Sequence, residues 1–149
     1  MGRAYLIIGL GSAHGDDRIG WEVVDRLQAV SIENPARSSS DPLDLVDIPA
    51  DCLLLVVVDA CHGAGAPGSI DRFAWPDSRL VALIGKSTHG FGLISALRLA
   101  ETLGKLPRRV VVFTIEAESL EPNTVLSPQV EAAIPEVIAL ILGVIGGNE

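Results

Sequence analysis

The sequence predicts an α/β fold, a three-layer α/β/α arrangement with a mainly parallel, twisted sheet of about five strands and helices on both faces. Three observations predict it. Apolar runs of strand length alternate with segments whose apolar residues recur at helical spacing. The strongest run, Leu53–Val58, is apolar at every position, as a central parallel strand covered on both faces must be. Hydrophobic residues make up 48% of the chain but aromatic ones only 4%, so the core is built from Leu, Ile, Val and Ala. The 149 residues suit a single domain, 1–149.

Ala4–Ile8 is a continuous apolar run closed by Gly9-Leu10-Gly11, which favours a buried first strand. Ile19, Val23, Val24, Leu27 and Val30 then follow helical spacing, with Asp16 and Asp17 placed to meet the free N–H groups and positive dipole of the helix start. The Ser-, Pro- and Asn-rich stretch Ser31–Pro42 reads as a loop and Leu43–Ile48 as a second strand. Leu53–Val58 ends at Asp59-Ala60-Cys61-His62-Gly63, and Gly65, Pro67 and Gly68 mark turns. One further strand falls in Ser69–Trp75 or in Arg79–Ile84. Ser87-Thr88-His89-Gly90 opens a helix carrying Leu93, Ile94, Leu97, Ala100 and Leu103, stopped by Gly104 and Pro107. Arg109–Ile115 is the last strand. Ser127-Pro128 supplies an N-cap and a first-turn proline for a closing helix that carries Val130, Ala133, Ile134, Val137, Ile138 and Ile141. Pro135 is expected to kink or interrupt that helix.

Composition excludes several classes. With 11 basic and 19 acidic residues the net charge is −8, which opposes binding to nucleic-acid phosphates. Cys52 and Cys61 make neither a zinc-finger spacing nor a disulfide framework. The run from Ala4 to Gly9 is too short for a signal-peptide core, and Ile134–Ile145 is broken by Pro135, Glu136 and Gly143, short of a bilayer span. The expectation is a soluble cytoplasmic protein with no membrane insertion.

Ligands of open α/β sheets bind beyond the carboxyl ends of the strands. Three segments reach that rim: Gly9–Arg18 with His14, Asp16 and Asp17; the end of the central strand with Asp59, Cys61 and His62; and Ser87–His89. All three histidines of the chain lie there. Carboxylates with imidazole form a competent divalent-metal set. Asp59, directly after six apolar residues, stands at the edge of low dielectric and needs a partner there. Plainer readings stand beside these: Asp16 or Asp17 as a helix cap, Asp59 bonded to its own turn, Cys61 as an inert small residue, His14 and His62 as loop residues. A dinucleotide site is weakly signalled. The third glycine of the pattern falls at His14, and Asp47 lies too far on to hold a ribose. Neither a Gly-x-Ser-x-Gly elbow nor a His-Glu-x-x-His motif occurs.

The segment from Gly9 to Gly20, GLGSAHGDDRIG, resembles the opening signature of the [NiFe]-hydrogenase maturation endopeptidases: a strand, Gly-x-Gly-Asn, a short loop, two acidic residues and a Gly-rich helix start. Val58-Asp59-Ala60 with Gly65 and Pro67-Gly68 is similar to the family's second block, and Ser87–Leu93 to its Ser-x-His-x-x-Gly-Leu block. Ile115-Glu116 and Leu126–Val130 resemble its late strand and final helix start. The blocks occur in order over nearly the whole chain. Ser12 stands where the family has Asn, and Arg18 where it has Gly.

The resemblance implies an α/β/α peptidase whose site is Asp17, Asp59 and His89, both as metal-contacting and as catalytic residues. It implies that the partner is a [NiFe]-hydrogenase large-subunit precursor, whose C-terminal peptide is removed after nickel insertion. The nickel is supplied by that substrate, with cadmium or zinc as substitutes in crystals. Two other functions stand as alternatives: a Rossmann-like nucleotide-binding module, and a non-cleaving metal-dependent chaperone of the large subunit.

Overall fold

The computed structural model describes residues 4–30, 35–84, 90–122 and 125–147. Five strands form one sheet: β1 (Tyr5–Leu10), β2 (Ala36–Ser39), β3 (Leu54–Cys61), β4 (Ile70–Ala74) and β5 (Arg109–Glu116), in the order β2-β1-β3-β5-β4. All neighbours are parallel except β4, which runs antiparallel to β5. The helices are α1 (Ile19–Val30), α2 (Ser78–Ile84), α3 (Gly90–Thr102) and α4 (Pro128–Ile145). The predicted three-layer fold is the observed one.

Side chains alternate along each strand, so β3 feeds two cores. Val56, Val58 and Ala60 pack with Ile19, Val23 and Leu27 of α1 and with Val130, Ile134, Val137 and Ile141 of α4. Leu55 and Val57 face the other way, onto Leu45, Leu80, Leu93 and Leu97. Every β3 residue is buried, which explains why its run from Leu54 to Val58 is apolar.

Departures from the sequence reading have local causes. The second strand is Ala36–Ser39, inside the expected loop, not Leu43–Ile48. It is an edge strand paired only with β1, so it needs no apolar alternation. Gln28 Nε2 donates to the Ala36 carbonyl at 2.7 Å and Trp21 Nε1 to the Ser39 carbonyl at 3.0 Å, tying it to α1. Pro42–Asp47 is instead a 3₁₀ helix, begun by Pro42 and by Asp41, whose side chain accepts from the Leu43 N–H. Leu45 within it is buried, as is Ile48 where the chain turns extended again. Of the two candidate segments for a further strand, Ser69–Trp75 holds β4, while Arg79–Ile84 lies in α2, where Asp77 accepts from the Arg79 N–H. Strand β3 continues through Cys61 because β5 runs beside it to Glu116, so Asp59 lies within the strand, opposite Thr114. The opening of α3 predicted at Ser87, Thr88 and His89 lies outside the described residues.

Helix α4 passes through Pro135 without a break. Pro135 is exposed, while Ile134 and Val137 are buried on either side, so the bond it removes lies on the solvent face. By length and composition α4 is long and apolar enough to cross a membrane. Its buried residues nevertheless form one wall of the core described above.

The helix α1 meets the sheet backbone to backbone. A Cβ on Gly20 would lie 2.2 Å from the Leu10 carbonyl oxygen and 2.8 Å from that of Val58, and one on Gly9 only 2.1 Å from the Gly20 oxygen. Gly20→Ala is therefore expected to cost about 3 kcal/mol or more, because backbone atoms must move to admit the methyl. Gly143 in α4 has nothing within 4 Å of a built Cβ, and Gly143→Ala is expected to stabilise by about 0.5–1 kcal/mol. Urea unfolding of both variants checks the pair.

Candidate functional site

The chain leaves β1 toward β2 on one side and returns to β3 on the other, so the crevice between the carboxyl ends of β1 and β3 is a topological switch point. A pocket of about 70 Å³ lies there, lined by Leu10, Gly11, Ser12, Asp17, Ser40, Pro42 and Asp59. The 3₁₀ turn Gly15–Arg18, between β1 and α1, carries Asp16 and Asp17, and the Gly9–Gly20 contact seats that turn close to the strand ends.

The two adjacent acids do different work. Asp16 faces away from the pocket residues and binds the far end of the chain. Its Oδ2 accepts from the N–H groups of Glu118 and Ser119 at 2.8 and 3.0 Å and from Ser127 Oγ at 2.7 Å; its Oδ1 accepts from the Ser127 N–H at 2.7 Å. Burial pushes its pKa up, but these bonds prevail and hold the carboxyl below its ordinary range. Ser127 is the N-cap of α4 as expected, yet its hydroxyl serves Asp16 and not its own helix. Asp16 is a cap, though of the last helix's approach and not of α1.

Asp17 is 2% exposed and lines the pocket, with Ser12 Oγ donating to its Oδ2 at 2.6 Å. Asp59, 4% exposed, enters the same pocket from β3. Its side chain belongs to the face of Leu55 and Val57, the side covered by α3. The Ala60 N–H donates to Asp59 Oδ1 at 2.8 Å. That bond does not compensate for the site: burial first, and the nearby Asp17 charge second, push the Asp59 pKa well above the carboxylate range. Two buried carboxylates facing one small pocket resist holding two negative charges unless a proton or a cation enters.

Sequence reasoning named His89 as the third member; it lies outside the described residues. Its chain neighbour Gly90 is the first residue of α3. Two positions on, a Cβ at Gly92 would lie 2.8 Å from Pro42 Cγ, so α3 begins hard against a wall of the pocket. Among the described residues no three His, Cys, Asp or Glu side chains form a group able to hold a metal. His14 and His62 are exposed and line no part of the pocket.

Glu116 escaped the site reading. It is buried at the end of β5, where Oε2 accepts from the Gly63 N–H at 2.6 Å and Oε1 from Cys61 Sγ at 3.3 Å, anchoring the chain that leaves β3. The available signal was the one used for Asp59, a carboxylate directly after a long apolar strand. Burial, followed by the hydrogen bond and charge of Glu116, pushes the Cys61 thiol up to about 12, which leaves it protonated and inert.

Asp59 is most favourable to folding when protonated, so its contribution is lost as pH rises from the ordinary carboxylate range through its raised value. Asp59→Asn should therefore raise Tm at pH 7 by roughly 2–6 °C, and the gain should vanish near pH 4. Asp16 has the opposite sign: its stabilisation is present above the ordinary carboxylate range and fades as pH falls through the depressed value. Asp16→Ala should cost about 3 kcal/mol at neutral pH by stranding buried donors. Calorimetric melting across that pH range tests both.

A family model for hydrogenase maturation proteases matches residues 40–144. Among curated proteins none matches the chain by sequence. Solved structures match over nearly the full length. The hydrogenase-maturating endopeptidase HybD of Escherichia coli is 25% identical with a TM-score of 0.78, covering 96% of this chain and 92% of its own. A hydrogenase 2 maturation peptidase from a Thaumarchaeota archaeon is 28% identical with a TM-score of 0.68, covering 95% of this chain and 97% of its own. The [NiFe] hydrogenase maturation protease HybD of Thermococcus kodakarensis shares the fold at a TM-score of 0.80 and 24% identity, covering 95% of this chain and 98% of its own. With the family match spanning more than half of the chain, this protein belongs to the hydrogenase maturation protease family and is a peptidase.

Proposed function

We propose that the protein is an endopeptidase that removes the C-terminal peptide of a [NiFe]-hydrogenase large-subunit precursor once nickel has been inserted, and that it acts in the cytoplasm. The observation that carries the reading is the pair of buried acids, Asp17 and Asp59, at the switch-point pocket, where burial and the Asp17 charge oppose ionisation of Asp59. A peptide alone does not neutralise such a pair; a divalent cation does. The substrate's nickel is the cation in question. Asp17 and Asp59 engage it, with His89 as the third donor on the strength of the resemblance. Oxygen and imidazole donors suit nickel, and the small pocket admits one ion and not a dinucleotide.

The reaction is hydrolysis: water adds to the scissile carbonyl, the C–N bond breaks, and the amine leaves with a proton. Nickel held against two carboxylates fixes the precursor's tail in register with the site and favours charge on the carbonyl oxygen. Asp59, whose burial favours its protonated form, exchanges a proton with the site as the cation arrives and departs.

Intact-mass measurement on nickel-loaded and nickel-free precursor tests the proposal. Loss of a C-terminal fragment from the loaded form alone is expected, suppressed at least about 100-fold by Asp17→Asn, Asp59→Asn or His89→Ala. Equal cleavage of both forms overturns the nickel requirement, and complex formation without mass change favours a non-cleaving chaperone. Because the cation displaces the Asp59 proton, cadmium should bind more weakly as pH falls. Calorimetry in two buffers of different ionisation heat should show proton release on binding. Affinity independent of pH would contradict the assignment of Asp59.

A further inference from the structure

We infer that Ser12 is the positioning residue of the site, fixing the Asp17 carboxylate so that it meets the incoming cation; the inference rests on the function proposed above. Ser12 leaves β1 two residues after its last position and lines the pocket itself. Its hydroxyl carries one proton, and two observations say where that proton points. The His14 N–H donates to Ser12 Oγ at 3.3 Å, so a lone pair is taken from the chain side. The hydroxyl then donates to Asp17 Oδ2 in a short bond of 2.6 Å.

The turn around this bond is held independently of it. The Ser12 N–H donates to the Asp17 carbonyl at 3.2 Å, and the Asp17 N–H to the His14 carbonyl at 3.0 Å. Gly11 permits the closure, since a Cβ there would lie 2.5 Å from the Asp17 carbonyl oxygen. The backbone of the turn is thus set by backbone bonds, and the Ser12 hydroxyl acts on the carboxylate. A carboxylate offers about four acceptor positions, so the bond to Oδ2 orients the group while using only one of them. Outer donors of this kind commonly set metal affinity by 10- to 100-fold. Where the resembling family carries Asn, an amide N–H can supply the same donor, which makes Ser12→Asn the natural rescue.

The test uses the full chain with cadmium ion alone, read by titration calorimetry and by the ¹¹³Cd resonance. Ser12→Ala is expected to weaken cadmium binding about tenfold and to move the resonance, with Tm changed by less than about 2 °C. Ser12→Asn is expected to recover affinity to within about threefold. Wild-type affinity and an unmoved resonance in Ser12→Ala overturn the inference, as does a loss that Ser12→Asn fails to repair. Precursor cleavage separates the two readings. Cleavage that needs Asp17 and Asp59 but ignores Ser12 sinks the role of Ser12 alone. Cadmium affinity that depends on Ser12, in a wild-type protein that cleaves no precursor, sinks the peptidase substrate alone.

Discussion

The contact between the backbones of β1 and α1 governs the rest of the molecule. Gly9 and Gly20 face one another with no room for a single methyl group, and Gly20 also touches the carbonyl of Val58 in β3. A helix held that close to two neighbouring strands brings its preceding turn near the point where the strands part. A side chain at either glycine would have to push α1 from the strands, and with it the turn that bears Asp17. The glycine pattern that weakly suggested a dinucleotide loop is thus explained by packing. Its purpose is to shorten a helix–sheet distance, and the small pocket is the result.

Electrostatics divides the acids of this region by what surrounds them. Asp16 and Glu116 are buried carboxylates met by backbone N–H groups, and they tie chain segments together. Asp17 and Asp59 are buried at one small pocket, and Asp59 is driven toward its protonated form. Asp16 gains from ionisation and Asp59 loses by it. An ionised Asp59 lowers the stability of the empty protein, as groups kept for binding commonly do.

Much of this was legible in the chain because it was written in apolar periodicity. Strands β1, β3 and β5 and helices α1 and α4 have continuous or regularly spaced apolar positions, and all lie where the pattern put them. The failures fell where periodicity carries no information. Strand β2 is polar because an edge strand needs only one partner, and Leu43–Ile48 looked like a strand because a 3₁₀ helix also buries closely spaced apolar residues. Residue spacing alone did not separate Asp16 from Asp17, since the role of Asp16 depends on contacts with residues more than a hundred positions away. Asp59 was readable from its place after six apolar residues, and Glu116, in the same kind of place, was not recognised. The placement of His89 rests on a motif alone.

The bond network of Asp16 has a bearing on when the turn after β1 is fixed. Its partners, Glu118, Ser119 and Ser127, follow it by 102, 103 and 111 residues, and Ser127 opens the final helix. During synthesis the first strand and helix emerge long before those donors exist. The turn bearing Asp17 therefore gains its last anchor only when the C-terminal helix docks. A nascent or clipped chain lacks that latch, so the seating of this turn is coupled to completion of the fold.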